Sequence, residues 1–118
     1  MVEWLDDLCS KMHYFLKKSF NKEFYYDFSL ASKAVENSIE MLRQGRAEHF
    51  LALDFFQEEV VGAVSIQNFD NDSSLLDLIN SWGNSHPHNQ AFLSNNVLGI
   101  GFSYNSERNI LYSTIRLR

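Results

Sequence analysis

The sequence predicts an α+β fold in which helices pack on a β-sheet. Apolar residues with helical spacing dominate residues 2–44, whereas β-branched and aromatic residues dominate most of the remainder. One short amphipathic stretch interrupts this second part. The 118 residues suffice for one domain with one core, and no internal repeat or linker divides them. The predicted order of elements is α-α-β-β-α-β-β.

Two amphipathic helices are predicted in the first part of the chain. The second spans Ser29–Gln44; Asp27 or Ser29 can cap its start, and Gly45 can end it in the left-handed conformation. The first spans Val2–Phe20 and has one apolar face, formed by Trp4, Leu5, Leu8, Met12, Phe15 and Leu16.

Four strands and a short helix are predicted after Gly45. The segments HFLALDFF and VVGAVSIQNF form two strands around a hairpin turn at QEE, and VLGIGFSY and NILYSTIRL form two more around NSER. The glycines of GIG lie within a strand, so we interpret them as positions of close packing. Between the strand pairs, the series that begins at Leu75 and ends at Trp82 has helical spacing, which predicts that Trp82 faces the sheet.

The composition argues against several classes of partner. The net charge is −5 and the basic residues are scattered. We therefore expect no nucleic-acid partner, because binding to phosphate backbones requires clustered Lys and Arg. No apolar run approaches the roughly 20 residues that span a bilayer. The single cysteine, Cys9, permits no internal disulfide, and we interpret it as a small buried hydrophobe and His13 as a helix-surface residue.

The stretch Asn80–Leu93, NSWGNSHPHNQAFL, carries the main candidate residues. Pro87 donates no backbone hydrogen bond and disfavours helical geometry at His86, so the helix is predicted to end near Ser85. His88 then lies one residue beyond a rigid stop, which would hold its imidazole in place and open to solvent. The alternative is a helix stop with ordinary surface histidines, and the spacing alone favours this alternative.

Residues 75–104 resemble a segment of CAP-superfamily domains (cysteine-rich secretory proteins, antigen 5, pathogenesis-related 1), in particular of the short bacterial branch. The resemblance implies one domain over residues 1–118, an α-β-α sandwich with an antiparallel sheet, and a cleft with two histidines. The matching positions are Trp82, Asn84, Ser85, His88, Leu93, Gly99, Ile100 and Gly101, and further upstream Asp27, Leu30, Ala34, Ser38, Met41 and His49.

The departures from the family pattern concern the cleft. The glutamate of the family motif GENiA falls near GAVSI, where Ala63 takes its place, and Asn37 replaces a helix histidine. We therefore expect His49 and His88 to share a cleft without the carboxylate that completes the group. Two imidazoles would hold a divalent metal such as zinc only weakly, because useful affinity requires three or four ligands. The candidates for a third ligand are Glu48, Asp54, Glu58 and Glu59.

The resulting hypothesis is a non-catalytic binding domain. Its binding cleft is expected around His49, His88, Asn84 and Ser85, and its partner is a small lipid, a peptide or a protein. No catalytic residue is assigned, because no nucleophile and base converge in a known motif. One alternative is a metal-dependent hydrolase that uses the two histidines and an unidentified carboxylate. Another is a purely structural or interaction domain.

The resemblance also bears on ligands and location. The family's sterol and fatty-acid binding implies that the aromatic cluster FYYDF could line a lipid pocket, although such a cluster is more often core. It further implies an extracytoplasmic or secreted protein. The first residues, MVEWLDDLCSKM, do not have the pattern of a secretory signal, which leaves a cytoplasmic location open.

Overall fold

The computed structural model describes residues 2–66 and 71–118. No helix in these two ranges is both long and apolar enough to cross a membrane. Residues 67–70, which include the end of the second predicted strand, lie outside the described ranges. The elements are α1 (Val2–Phe20), β1 (Tyr25–Tyr26), α2 (Phe28–Gln44), β2 (Glu58–Ser65), α3 (Asn71–Gly83), α4 (His86–Ser94), β3 (Val97–Asn105) and β4 (Ile110–Leu117).

The four strands form one sheet in the order β1-β3-β4-β2. β3 pairs with β4 and β4 with β2 in antiparallel register, whereas β1 pairs with β3 in parallel. The sheet is therefore mixed rather than purely antiparallel. The two residues of β1 were missed in the sequence because so short a strand shows no alternation. β2 forms one edge of the sheet, and its first residues lie at the candidate site.

Helices cover both faces of the sheet, which confirms the predicted α-β-α sandwich. α2 packs on β3 and β4 from one side, while α1, α3 and α4 pack on the other. Gly99 and Gly101 allow the backbone of α2 to approach β3: an added Cβ would lie 2.1 Å from the amide nitrogen of Ala31 and 2.2 Å from that of Val35. This confirms the interpretation of GIG as a site of close packing.

The main core lies between the sheet and the three helices of the other layer. Trp82 is 2% exposed and packs near Phe92, which confirms its predicted role as a core anchor. Its indole Nε1 donates a hydrogen bond of 3.0 Å to the carbonyl oxygen of Val61. That bond occupies a backbone acceptor of the edge strand β2, which is then not available for pairing with a strand of another chain.

Two sequence predictions around the candidate site were wrong. Residues 45–57, which contain the predicted strand HFLALDFF, form neither helix nor strand, because their polar backbone groups bond to buried side chains rather than to a neighbouring strand. The other concerns Pro87: α3 ends at Gly83, close to the predicted end near Ser85, but Pro87 does not keep the residues around it out of a helix. It occupies the first turn of α4, where a missing N–H costs nothing, so His88 lies inside a second helix that follows α3 almost directly.

Candidate functional site

A shallow depression of about 330 Å³ lies at the edge of the sheet. We call it the edge depression. It forms where the loop of residues 45–57, the start of β2 and the first turns of α4 meet. Its lining residues are His49, Leu53, Gln57, Glu58, Glu59, Val60, Pro87, His88 and Ala91.

His49 is held against a buried carboxylate. Its Nδ1 lies 2.6 Å from Oε1 of Glu59, and the two side chains are 53% and 0% exposed, respectively. A carboxylate accepts hydrogen bonds and does not donate them, so Nδ1 carries the proton and Nε2 is the remaining ring nitrogen. The imidazole is therefore fixed in orientation while its ring stays open to solvent and ligands.

The carboxylate of Glu59 is also paired with a buried guanidinium. Arg116 lies opposite Glu59 in the β2–β4 register, and its Nε donates to Oε2 of Glu59 at 2.8 Å. The other guanidinium nitrogens reach the carbonyl oxygens of Leu51 (3.4 Å) and Ala52 (3.2 Å), and Oε1 of Gln57 (3.5 Å). This pairing compensates the burial of both charges and attaches the 45–57 loop to the sheet.

Asn37 fixes the backbone on both sides of His49. Asn37 lies on α2, and it is fully buried. Nδ2 donates to the carbonyl oxygen of Glu48 at 3.1 Å, and Oδ1 accepts the N–H of Phe50 at 2.8 Å. Nδ2 also reaches Oγ1 of Thr114 on β4 at 3.2 Å. Asn37 therefore helps to fix the backbone position of His49, in addition to the contact of the His49 side chain with Glu59.

The structure brings two of the four predicted cleft residues together. His49 and His88 line the edge depression, whereas Asn84 lines a separate depression with residues of α1 and α3. Ser85 is the N-cap residue of α4: its carbonyl oxygen accepts the N–H of Asn89 at 2.8 Å, and its side chain makes no capping bond.

A carboxylate from one of the candidate positions lies beside His49, one member of the histidine pair. Ala63 lies in the middle of β2 opposite Tyr112, and the carboxylate beside His49 comes from Glu59, four residues earlier. From the sequence alone, Glu59 is only one of several candidates for a third ligand. With residues 49–56 predicted as a strand, the sequence fixes neither the start of β2 nor the face on which Glu59 lies. The facing arginine, 57 residues further along the chain, left no local signal.

The metal-ligating groups of the edge depression are few. Within residues 2–66 and 71–118, no three side chains of His, Cys, Asp or Glu are grouped so that they could hold a metal ion. The two imidazoles are the nitrogen donors. Glu59 is already engaged by His49 and Arg116, and Glu58 accepts a hydrogen bond of 3.1 Å from Nδ2 of Asn95.

A larger groove of about 640 Å³ lies between α1 and α2. Burial, followed by the nearby charge of Asp6, raises the pKa of Cys9 to about 12, so its thiol is protonated and unreactive at neutral pH. His13 lies on α1 and is partly exposed, and its Nε2 lies 2.7 Å from the carbonyl oxygen of Phe24. The lining residues are Asp6, Cys9, Ser10, His13, Tyr26, Phe28, Ala31, Ser32, Val35 and Ile100.

Together, the mixed sheet and its two helical layers define the class of this protein: it has the fold of the CAP superfamily. Three solved structures show the similarity. An outer surface protein from Borrelia burgdorferi superimposes with a TM-score of 0.68 at 18% identity, over 98% of this chain and 91% of that one.

The other two structures are of NaASP2 and BmVAL-1, both CAP-type proteins. NaASP2, in a crystal structure with Zn²⁺, gives a TM-score of 0.61 at 13% identity, over 96% of this chain and 78% of that one. BmVAL-1 gives 0.58 at 11% identity, over 96% and 75%. A scan against known protein families and a search of curated proteins find no match to the sequence. The resemblance inferred from the sequence is thus confirmed at the level of the fold.

Proposed function

We propose that this chain is a non-catalytic binding domain whose edge depression holds a ligand between His49 and His88. The observation that carries the proposal is the half-exposed imidazole of His49, fixed through Nδ1 by the fully buried carboxylate of Glu59. A histidine held in this way can bind a ligand through its other ring nitrogen, Nε2. His88, which lines the same depression, supplies a second imidazole.

The chemistry of these groups suits a divalent transition metal. Metal-binding histidines commonly donate their second ring N–H to a carboxylate, as His49 does to Glu59. Two imidazoles alone form a weak site, and the rest of the coordination sphere would come from water or from donor groups of a bound partner. The determination of the similar NaASP2 structure with Zn²⁺ supports zinc as the first metal to test.

Binding is favoured over catalysis by what lines the depression. The lining side chains include no hydroxyl or thiol nucleophile, and the carboxylate of Glu59 is already bonded to both His49 and Arg116. It is therefore not free to act as a general base. The runner-up is a metal-dependent hydrolase in which Glu58, which also lines the depression, would serve as the base.

Calorimetric titration with zinc at pH 7.5 and pH 5.5 tests the proposal. We expect weak binding at pH 7.5 that is lost at pH 5.5, because protons compete with the metal for the imidazole nitrogens. His49→Ala and His88→Ala should each abolish binding. His86→Ala is the matched control, since His86 is exposed on the same helix and lies outside the depression.

Three results would count against the proposal. Binding that survives in both His49→Ala and His88→Ala would place the metal elsewhere. Tight binding at pH 7.5, together with ester hydrolysis that disappears in Glu58→Gln, would favour the hydrolase. If no zinc binds, the same titration with Cu²⁺ and Ni²⁺ follows, because imidazole also suits these metals. Absence of binding for all three metals would refute the metal-dependent form of the proposal.

The groove between α1 and α2 supports a second binding function, for an apolar chain such as a lipid tail. Its volume of about 640 Å³ falls within the range of small-molecule sites, about 300–1,000 Å³, whereas the edge depression is only half as large. Organic extraction of the purified protein followed by mass spectrometry tests this function. Val35→Asp, at the rim of the groove, should abolish binding of an added fatty acid, and unchanged binding would refute the assignment.

A structural neighbour also suggests a location for the protein. One structural neighbour is an outer surface protein, and we propose an extracytoplasmic setting for this chain as well.

A further inference from the structure

The loop beside the edge depression ends in an exposed apolar surface. Leu53, Phe55 and Phe56 are 42%, 86% and 82% exposed, and we call them the aromatic tip. The two phenyl rings pack against each other with their centroids 4.1 Å apart. Adjacent, almost fully exposed phenylalanines are unfavourable in water, and such surfaces commonly mark interaction sites.

The backbone holds Phe56 in a conformation that disfavours its side chain. Its φ is +64°, in the left-handed region that glycine and asparagine adopt readily and bulky residues rarely do. The turn is closed by the N–H of Gln57, which donates to the carbonyl oxygen of Asp54 at 3.1 Å. The side chain of Gln57 in turn accepts the N–H of Asp54 at 3.2 Å and is reached by Arg116. Both exposure and strain therefore count against a phenylalanine here on grounds of stability alone, which points to a role of the side chain in binding.

We propose that the aromatic tip docks an apolar segment of a protein partner that also carries Lys or Arg. The charge around the tip selects this occupant. Asp54 lies within the tip and Glu58 follows it; both are exposed, and neither forms an ion pair with a basic side chain in the described ranges. Aromatic side chains that fill pockets, with complementary charges at the rim, are the usual anchors of protein interfaces.

The same charges disfavour two other occupants. The headgroups of an anionic membrane repel carboxylates, and the chain as a whole carries a net charge of −5. A second copy of the chain would bring two acidic rims together. Leu53 belongs both to the tip and to the lining of the edge depression, so a partner seated on the tip would also reach the mouth of that depression.

Short synthetic peptides provide the test. One set combines Leu and Phe with Lys and Arg, a second combines Leu and Phe with Asp and Glu, and a third is basic without apolar residues. Binding to the full chain is measured by fluorescence anisotropy at low and high salt. We expect binding only of the apolar-basic set, weakened by salt. Equal binding of the apolar-acidic set, or no binding of any set, would overturn the proposal.

Phe56→Gly separates docking from folding. Glycine relieves the positive φ, so this variant should unfold at the same or a higher temperature than the parent chain, while the affinity for the apolar-basic peptides falls at least about tenfold. Phe55→Ser should weaken binding similarly. Tyr25→Ser removes another exposed aromatic residue away from the tip and should leave affinity unchanged. Peptide affinity unchanged in Phe56→Gly would overturn the proposal.

Binding of the aromatic tip to a membrane or to a second copy of the chain is measured in parallel. Sedimentation with phosphatidylcholine vesicles, with and without phosphatidylserine, and size-exclusion chromatography report membrane binding and self-association. If the parent chain binds vesicles or self-associates and Phe56→Gly does not, the occupant of the aromatic tip is a membrane or a second copy, and the proposed protein partner is refuted. The proposals of peptide docking and of zinc binding can be refuted separately, because His88→Ala should abolish metal binding and leave peptide affinity intact.

Discussion

Replacing Arg116 by methionine tests whether the buried ion pair supports the candidate site. The substitution keeps an unbranched chain but removes the charge that compensates the carboxylate of Glu59, whose side chain is 0% exposed. It also removes the donors to the carbonyl oxygens of Leu51 and Ala52. Breaking a buried pair from one side costs about 3–5 kcal/mol, since an uncompensated charge stays buried.

The magnitude can be expressed as a melting temperature. An unfolding entropy of about 2.1 cal/mol/K per residue gives about 0.25 kcal/mol/K for the 118 residues. A loss of about 3–5 kcal/mol in Arg116→Met therefore corresponds to a decrease of about 12–20 °C. Domains of this size have free energies of unfolding of about 5–15 kcal/mol, so the variant should remain folded at room temperature.

Thermal and urea unfolding, followed by circular dichroism at pH 7, measure this loss. His49→Ala is the control, because it removes the exposed partner of the same carboxylate and leaves Arg116 in place; we expect a loss of about 1 kcal/mol. Adding Glu59→Leu to Arg116→Met should restore much of the stability. A loss below about 1 kcal/mol in Arg116→Met, or an equal loss in His49→Ala, would refute the assigned role of the pair.

Two further predictions concern the other face of the sheet and the response to acid. Gly101→Ala should cost more than the roughly 3 kcal/mol of ordinary overpacking, because the added Cβ meets the backbone of α2 at 2.2 Å, whereas Gly83→Ala, with nothing within 4 Å, should be neutral or stabilising in chemical denaturation. Hydrogen bonds from Ser29 and then from Arg118 hold the pKa of Asp27 well below its usual range. A carboxylate whose pKa is lowered by folding stabilises the protein above its unfolded pKa of about 3.9, and this stabilisation is lost as the pH falls further. The melting temperature should therefore decrease below about pH 4. The decrease should be less steep in Asp27→Asn. A slope below pH 4 that is the same in Asp27→Asn and in the parent chain would contradict this assignment.

The parts of the fold that the sequence predicted are those with local periodicity. The 3.6-residue spacing of apolar side chains identified α1, α2 and α3, and the capping residues Asp27 and Gly45 behave as expected. The apolar series of α3 predicted the burial of Trp82, and the glycines of GIG predicted the close approach of α2. These signals lie within a few residues of one another, so tertiary contacts could not override them.

The parts that the sequence missed depend on long-range contacts. Residues 45–57 are rich in strand-forming side chains, but the backbone there is held by Asn37 and Arg116, which are distant in sequence. The end of α3 near Ser85 is predicted correctly, but the helix that restarts at His86 is not, because a proline after a helix and a proline in the first turn of the next helix look alike in sequence. Once the loop was assigned to a strand, the partner of His49 could not be identified.

Arg116 connects the two proposed binding surfaces. Through Glu59 it orients His49 in the edge depression, and through Gln57 and two loop carbonyls it holds the turn that presents the aromatic tip. A substitution at Arg116 should therefore impair both metal binding and peptide docking, even where the chain still folds. His88→Ala and Phe56→Gly should each impair only one of them. If Arg116→Met remained folded and kept both activities, the two surfaces would be formed independently of the sheet, and the support assigned to the buried pair would have to lie elsewhere in the 45–57 loop.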